Sequence, residues 1–191
     1  MTDTAETGTD WRSAKKAATR ARIRAAALEL FRRDGYDRTT VERIAAAAGV
    51  THTTFFRYFP TKEDVALSDN YDPLIAGLLS ARPSTESIPE KICGALLEGL
   101  TSVYAEFRDE LLEQMRLVQS VPALRARLWE VLVDTERTLL EVLDEDSLEA
   151  RAVVSGIVAA STTIILAWAE ANGRDQLPEL LTSGFAALRR F

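Results

Sequence analysis

The stretch from Thr39 to Lys62, TTVERIAAAAGVTHTTFFRYFPTK, constrains the fold more than any other, because two short helices and the turn between them can be read in it residue by residue. Thr40 is placed to cap a first helix whose apolar positions Val41, Ile44, Ala45 and Ala48 follow helical spacing. Gly49 supplies the positive φ that a tight turn needs, and Val50 fills the corner. Thr51 caps a second helix, in which Phe55 and Phe59, four apart, share the inward side and leave His52, Thr53, Thr54, Phe56 and Tyr58 facing out. This is a helix-turn-helix, and the outward face of its second helix has the shape to enter a DNA major groove.

A formal charge of −6 speaks against nucleic acid only if it is evenly spread, and it is not. Residues 1–62 carry 12 Lys and Arg against 7 Asp and Glu, whereas residues 63–191 carry 11 against 22. The basic part is the part with the helix-turn-helix. One cysteine, Cys93, and one histidine, His52, leave no set of residues for zinc or Cys-His catalysis, so no metal or other cofactor is expected and the chain is not read as an enzyme. There is no Gly-rich phosphate loop and no Glu-x-x-His. The polar start MTDTAETGTD is not a signal peptide, and the reading finds no run of about 18 apolar residues for a membrane span. A cytoplasmic protein with no membrane partner is expected.

The coarse organisation is a disordered tail over 1–11, a helix-turn-helix domain over 12–62 and a helical domain over 63–191. Arg12, Lys15, Lys16, Arg20, Arg22 and Arg24 form a basic arm suited to phosphate contact, which runs into a helix stopped by Asp34-Gly35-Tyr36. Thr61 and Asp64 open a helix expected from about 61 to 80, ended by Arg82-Pro83-Ser84. Ser87 opens the next, a segment from about 109 to 119 follows, and Pro122 starts a long helix closed by Asp144-Glu145-Asp146. Two further helices, about 147–172 and 175–190, are parted by Asn172-Gly173. The chain is therefore read as all-α, about nine helices in total.

In IAAAAGVTHTTFFRYFPTKEDV the sequence resembles the TetR family of one-component transcriptional regulators, and with the preceding helix the resemblance covers about a quarter of the chain. His52, Thr53 and Thr54 stand at the start of the recognition helix, where short polar groups reach base edges, while Thr40, Arg57, Tyr58 and Lys62 are assigned to phosphates. For Thr40, Tyr58 and Lys62 the resemblance implies this contact; Arg57 rests on its charge and place. Phe56 departs from the family, which often has tyrosine there, and Glu42 stands where some members have a basic residue. Glu42 could accept from cytosine or face solvent. FFRYFPTKEDV followed by Tyr71-Asp72-Pro73 also resembles a branch thought to sense acyl-CoA-like molecules, including regulators of mycofactocin systems.

The helix at 147–172 is apolar over much of its circumference, so it needs partners on two sides. Pairing of the last two helices with their copies in a twofold four-helix bundle provides them, through Val153, Ile157, Ile164, Leu181, Phe185 and Leu188. The resemblance implies that dimer too, and an inducer pocket whose candidates are Leu100, Tyr104, Phe107, Met115, Val118, Trp129, Val133 and Trp168. Together these give a homodimeric, ligand-responsive regulator, a repressor, that binds a palindromic double-stranded DNA operator and is released by an apolar or amphipathic, acyl-CoA-like effector. The alternative is a helical protein-interaction module without sequence-specific DNA binding.

Overall fold

Three threonines open three short helices in the computed structural model, which describes residues 6–68, 71–188 and 190. The Thr40 hydroxyl accepts from the Arg43 amide to start α2 (Val41–Ala47), Thr51 accepts from Thr54 to start α3 (His52–Tyr58), and Thr61 accepts from Asp64 to start α4 (Lys62–Leu67). Each such cap stabilises its helix by about 1 kcal/mol. Before them runs α1 (Glu6–Asp34), which begins inside the stretch expected as a tail; residues 1–5 of that tail lie outside the described residues. Gly35 and Gly49, at φ 85° and 61°, make the two turns that a side chain would strain.

Four helices close one core. Ile23 and Ala27 of α1, Ile44 of α2, Phe55 of α3 and Val65 of α4 are fully buried, with Phe59 beside Phe55 at 6.0 Å between ring centroids. Withdrawing one such phenylalanine from water is worth about 2–3 kcal/mol. Two arginines of the basic arm are spent inside this unit: Arg20 donates to the Tyr58 carbonyl at 3.0 Å and lies over the Phe59 ring, and Arg24 donates to the Ser68 carbonyl at 2.7 Å.

The chain divides into two units, Met1–Ser68 and Asp69–Phe191, so the boundary falls after Ser68 and not after Lys62. The cause is α4, whose Val65, Ala66 and Leu67 are buried with the first unit's core. The helix stops at Ser68, which turns extended (ψ 126°) while its hydroxyl donates to the Val65 carbonyl. The single helix expected over 61–80 is therefore two, α4 and α5 (Tyr71–Ser80), with residues 69 and 70 outside the described residues.

In the second unit α6 (Ile88–Ser120) packs against α5, α7 (Pro122–Leu143), α8 (Leu148–Glu170) and α9 (Leu177–Leu188). The two segments expected on either side of residue 108 are one helix with a kink at Phe107 (φ −128°, ψ 30°). Among the described residues the whole chain thus holds nine helices and no strand. Gly184 lets α9 close on α8, since a Cβ there would stand 2.3 Å from Ile164 Cδ1.

Two expectations need correction here. An 18-residue window of α8 has a mean hydropathy of 1.9 and only 33% of it is buried in the chain, so a helix long and apolar enough to span a membrane is present where none was expected. Of the residues assigned to a dimer face, Leu181, Ile157 and Phe185 are 0%, 5% and 5% exposed. They fill this chain's own core, so a second copy would withdraw almost nothing further from water at those positions. Val153 and Ile164 are half-buried against the same core, and Leu188 is exposed.

Candidate nucleic-acid interface

The first turn of α3 presents its polar groups to solvent because Phe55 and Phe59 hold the opposite side in the core. His52, Thr53 and Arg57 are exposed, as is the cap Thr40 on α2. The imidazole of His52 sits between two neighbours: Nε2 lies 3.4 Å from Glu42 Oε1 on α2, and the ring meets Phe56 edge-on at 4.7 Å between centroids. Thr54 is half-buried, and its hydroxyl accepts from the Thr51 hydroxyl at 2.9 Å, which ties it to the cap. The Arg57 guanidinium lies 5.4 Å from the centre of the Tyr58 ring, itself half-buried.

Lys62 is placed differently from the rest. Its ammonium donates to the carbonyls of Tyr36 at 3.0 Å and Thr39 at 3.2 Å and stands 3.9 Å over the Tyr36 ring. Two of three N–H groups are thus directed inward, which leaves one for a phosphate. Glu63, next in sequence, accepts from the Tyr36 hydroxyl at 2.6 Å. On the other side of that turn Arg33 and Arg43 both pair with Asp34, and these two guanidiniums, Arg33 first, hold its carboxyl down at about 2.

The eight residues expected to line an effector pocket do not share one cavity among the described clefts. Leu100, Val118 and Trp168 are buried, and Tyr104 and Met115 pack against that core, with the Tyr104 and Trp168 rings 5.8 Å apart. Trp129 and Val133 stand outward on α7, 69% and 60% exposed, and Phe107 is exposed at the kink. One cleft of about 340 Å³ lies between the start of α6 and α9, beside Arg82, Cys93 and Phe185. Another, of about 740 Å³, lies between α7 and α8, and Val133 alone of the eight lines it.

Residues 23–68 match the model described as bacterial regulatory proteins, tetR family, and residues 86–191 match the MftR C-terminal domain. The chain belongs to the TetR family. Its first match ends at Ser68, where the structural unit ends. The chain is similar to the HTH-type transcriptional regulator TcmR of Streptomyces glaucescens, 32% identical over 179 residues, 84% of this chain and 77% of that protein. Among solved structures it is similar to FadR of Thermus thermophilus, a TetR-family transcriptional repressor in complex with lauroyl-CoA: 28% identical, TM-score 0.59, over 88% of this chain and 92% of that one. FadR of Bacillus subtilis, in complex with stearoyl-CoA, shares the fold at 21% identity and a TM-score of 0.54, over 88% and 96% of the two chains. In this TetR-family transcriptional regulator the helix-turn-helix is formed by α2 and α3.

For three residues the partners escaped the sequence reading. Glu42 was open to two readings, and its partner is His52, ten residues on across the turn; only the corner geometry brings them together. Arg20 and Arg24 look like phosphate ligands in a basic run, and nothing local marks their carbonyl partners 38 and 44 residues away.

Proposed function

We propose that the protein is a homodimeric, cytoplasmic repressor that reads a palindromic operator through α3 and leaves it when an acyl-CoA-like small molecule binds the second unit. The exposed polar turn of α3, with His52 and Thr53 open for base edges and Thr40, Arg57, Tyr58 and Lys62 for phosphates, carries the DNA reading. Two copies set about 34–36 Å apart would meet successive major-groove faces, which gives a single short helix adequate site length.

The dimer face on this reading is not the buried one but the open one: Ala152, Gly156, Ala159 and Thr163 on α8, with Ser183 and Ala186 on α9, are exposed at helical spacing. Small residues allow close helix approach, and covering the apolar window of α8 is what a second copy would supply. Similarity to the lauroyl-CoA-bound repressor of Thermus thermophilus supports the effector class. To shift operator occupancy from 99:1 to 1:99 the effector must prefer the released state by about 5.5 kcal/mol.

The test is selection of bound sequences from random duplex DNA, with stoichiometry of the complexes, followed by titration with lauroyl-CoA. An inverted repeat held by two or four chains and released by the thioester is the expected result. Saturation with lauroyl-CoA at unchanged operator affinity would overturn the effector assignment.

A further inference from the structure

Glu42 is a carboxylate on the face of a protein that must approach a polyanion, which costs affinity unless it does something for recognition. It is exposed, at the first turn of α2, and stands 3.4 Å from His52 Nε2 at the first turn of α3. Its own backbone amide, then the Thr40 hydroxyl and the nearby imidazole, hold its carboxyl below the ordinary range. Phe56 meets the same imidazole ring edge-on.

Resting on the DNA-reading function proposed above, we infer that Glu42 is a specificity-determining, positioning residue: by facing His52 Nε2 it makes His52 an acceptor toward the DNA. A carboxylate only accepts, so the ring nitrogen opposite it is the one that carries the proton. In a neutral imidazole the lone pair then resides on Nδ1. The exposed Glu42 oxygens add further acceptors beside it. In the major groove the matching donors are the amino groups of cytosine and adenine, whereas guanine offers only O6 and N7 acceptors. On the strand that His52 faces, the pair therefore selects an amino-bearing base and rejects guanine. Without Glu42 either nitrogen can carry the proton, and the same histidine also accommodates guanine.

The experiment is bound-sequence selection with the full chain at about pH 8, above the range where histidine ordinarily becomes charged. His52→Ala first locates the base pair, as the position whose preference collapses. Wild type is expected to favour cytosine or adenine over guanine there by about tenfold. Glu42→Ala reduces that ratio to about twofold or less, leaves the other positions as they were, and tightens binding to random DNA by removing a negative charge. Glu42→Gln can turn its amide NH2 to the ring as readily as its oxygen, so it too loses most of the preference. The wild-type ratio stays the same between about 50 and 200 mM salt, which a role as a mere surface charge would not produce. A wild-type preference for guanine at that position, an unchanged preference in Glu42→Ala or Glu42→Gln, or a wild-type ratio that decays with salt each overturns the assignment while leaving the DNA-binding function standing. No enriched sequence for any variant, wild type included, overturns both.

Discussion

Lys62 and Tyr36 are locked twice over: the ammonium donates to the Tyr36 carbonyl at 3.0 Å and lies 3.9 Å above the same residue's ring. A second bond, to Thr39, fixes the start of α4 to the turn that precedes α2. Lys62→Ala removes two charge-assisted bonds and the ring contact, so the variant should lose about 1–2 kcal/mol of stability as well as a phosphate contact. Thermal unfolding without DNA checks this. An unchanged Tm would mean that the inward bonds contribute nothing and that any loss of DNA affinity is contact alone.

The Tyr36 hydroxyl donates to Glu63 at 2.6 Å, and burial first, then that carboxylate, pushes the phenol above its ordinary value of 10.0. An acid whose pKa rises on folding stabilises the fold fully below its unfolded value and loses that contribution as pH climbs past it. Stability should therefore fall as pH rises above about 10, and the Tyr36 share of the phenolate signal, read as the difference between wild type and Tyr36→Phe, should appear only as the chain unfolds. Tyr36→Phe should lower stability at neutral pH by about 1–3 kcal/mol and flatten the alkaline decline. Phenolate absorbance followed alongside Tm across that range is the measurement, and equal alkaline slopes for both proteins would sink the idea.

The helix-turn-helix was legible because its signals are local. Thr40, Thr51 and Thr61 cap within three residues, Gly35 and Gly49 turn on their own, and the four-residue spacing of Phe55 and Phe59 settles which way α3 faces. What failed depends on partners distant in sequence. The break at Ser68 is held by Arg24, and the inward turn of Lys62 by Tyr36 and Thr39. For α8 and α9 the apolar pattern shows that a face is covered without showing by what: Leu181 and Phe185 serve the chain's own core. The same ambiguity attends the pocket candidates, where Trp168 at 1% exposure and Trp129 at 69% carry the same residue type at similar helical settings.

Those two tryptophans give a contrast that can be measured. Trp168 Nε1 donates to the Asp175 carbonyl at 3.0 Å, so Trp168→Phe both opens a void and strands that acceptor. A loss of about 2–4 kcal/mol is expected, against less than about 0.5 for Trp129→Phe on the open face of α7. Denaturant unfolding of the two variants decides it; comparable losses would show that Trp129 is covered in solution, as a contact with a second copy would make it.

The α8–α9 hairpin makes a sharper test of packing. At Gly184 alanine would gain about 1 kcal/mol of helix propensity, yet its methyl would stand 2.3 Å from Ile164 Cδ1. Cδ1 is the far end of a half-buried, flexible side chain, so Ile164 can turn aside cheaply, and Gly184→Ala alone should leave stability within about 1 kcal/mol of the wild type. Ile164→Val deletes the clashing carbon, so the double variant should keep the propensity gain and be more stable than the sum of the two single changes by about 0.5–1 kcal/mol. Additive changes in that cycle would mean the two positions do not meet.

Charge and hydrogen bonding at the DNA can be separated on neighbouring residues. Arg57 is an exposed cation, so Arg57→Ala should weaken binding to every sequence alike and flatten the dependence of log affinity on log salt by about 0.9. Tyr58 is neutral, so Tyr58→Phe should weaken binding just as uniformly but leave that slope where it was. Affinities measured between about 50 and 200 mM salt on the selected site and on a scrambled one distinguish the two. If Arg57→Ala instead altered preference at particular base pairs, Arg57 would belong with the residues that read sequence and not with those that hold the backbone.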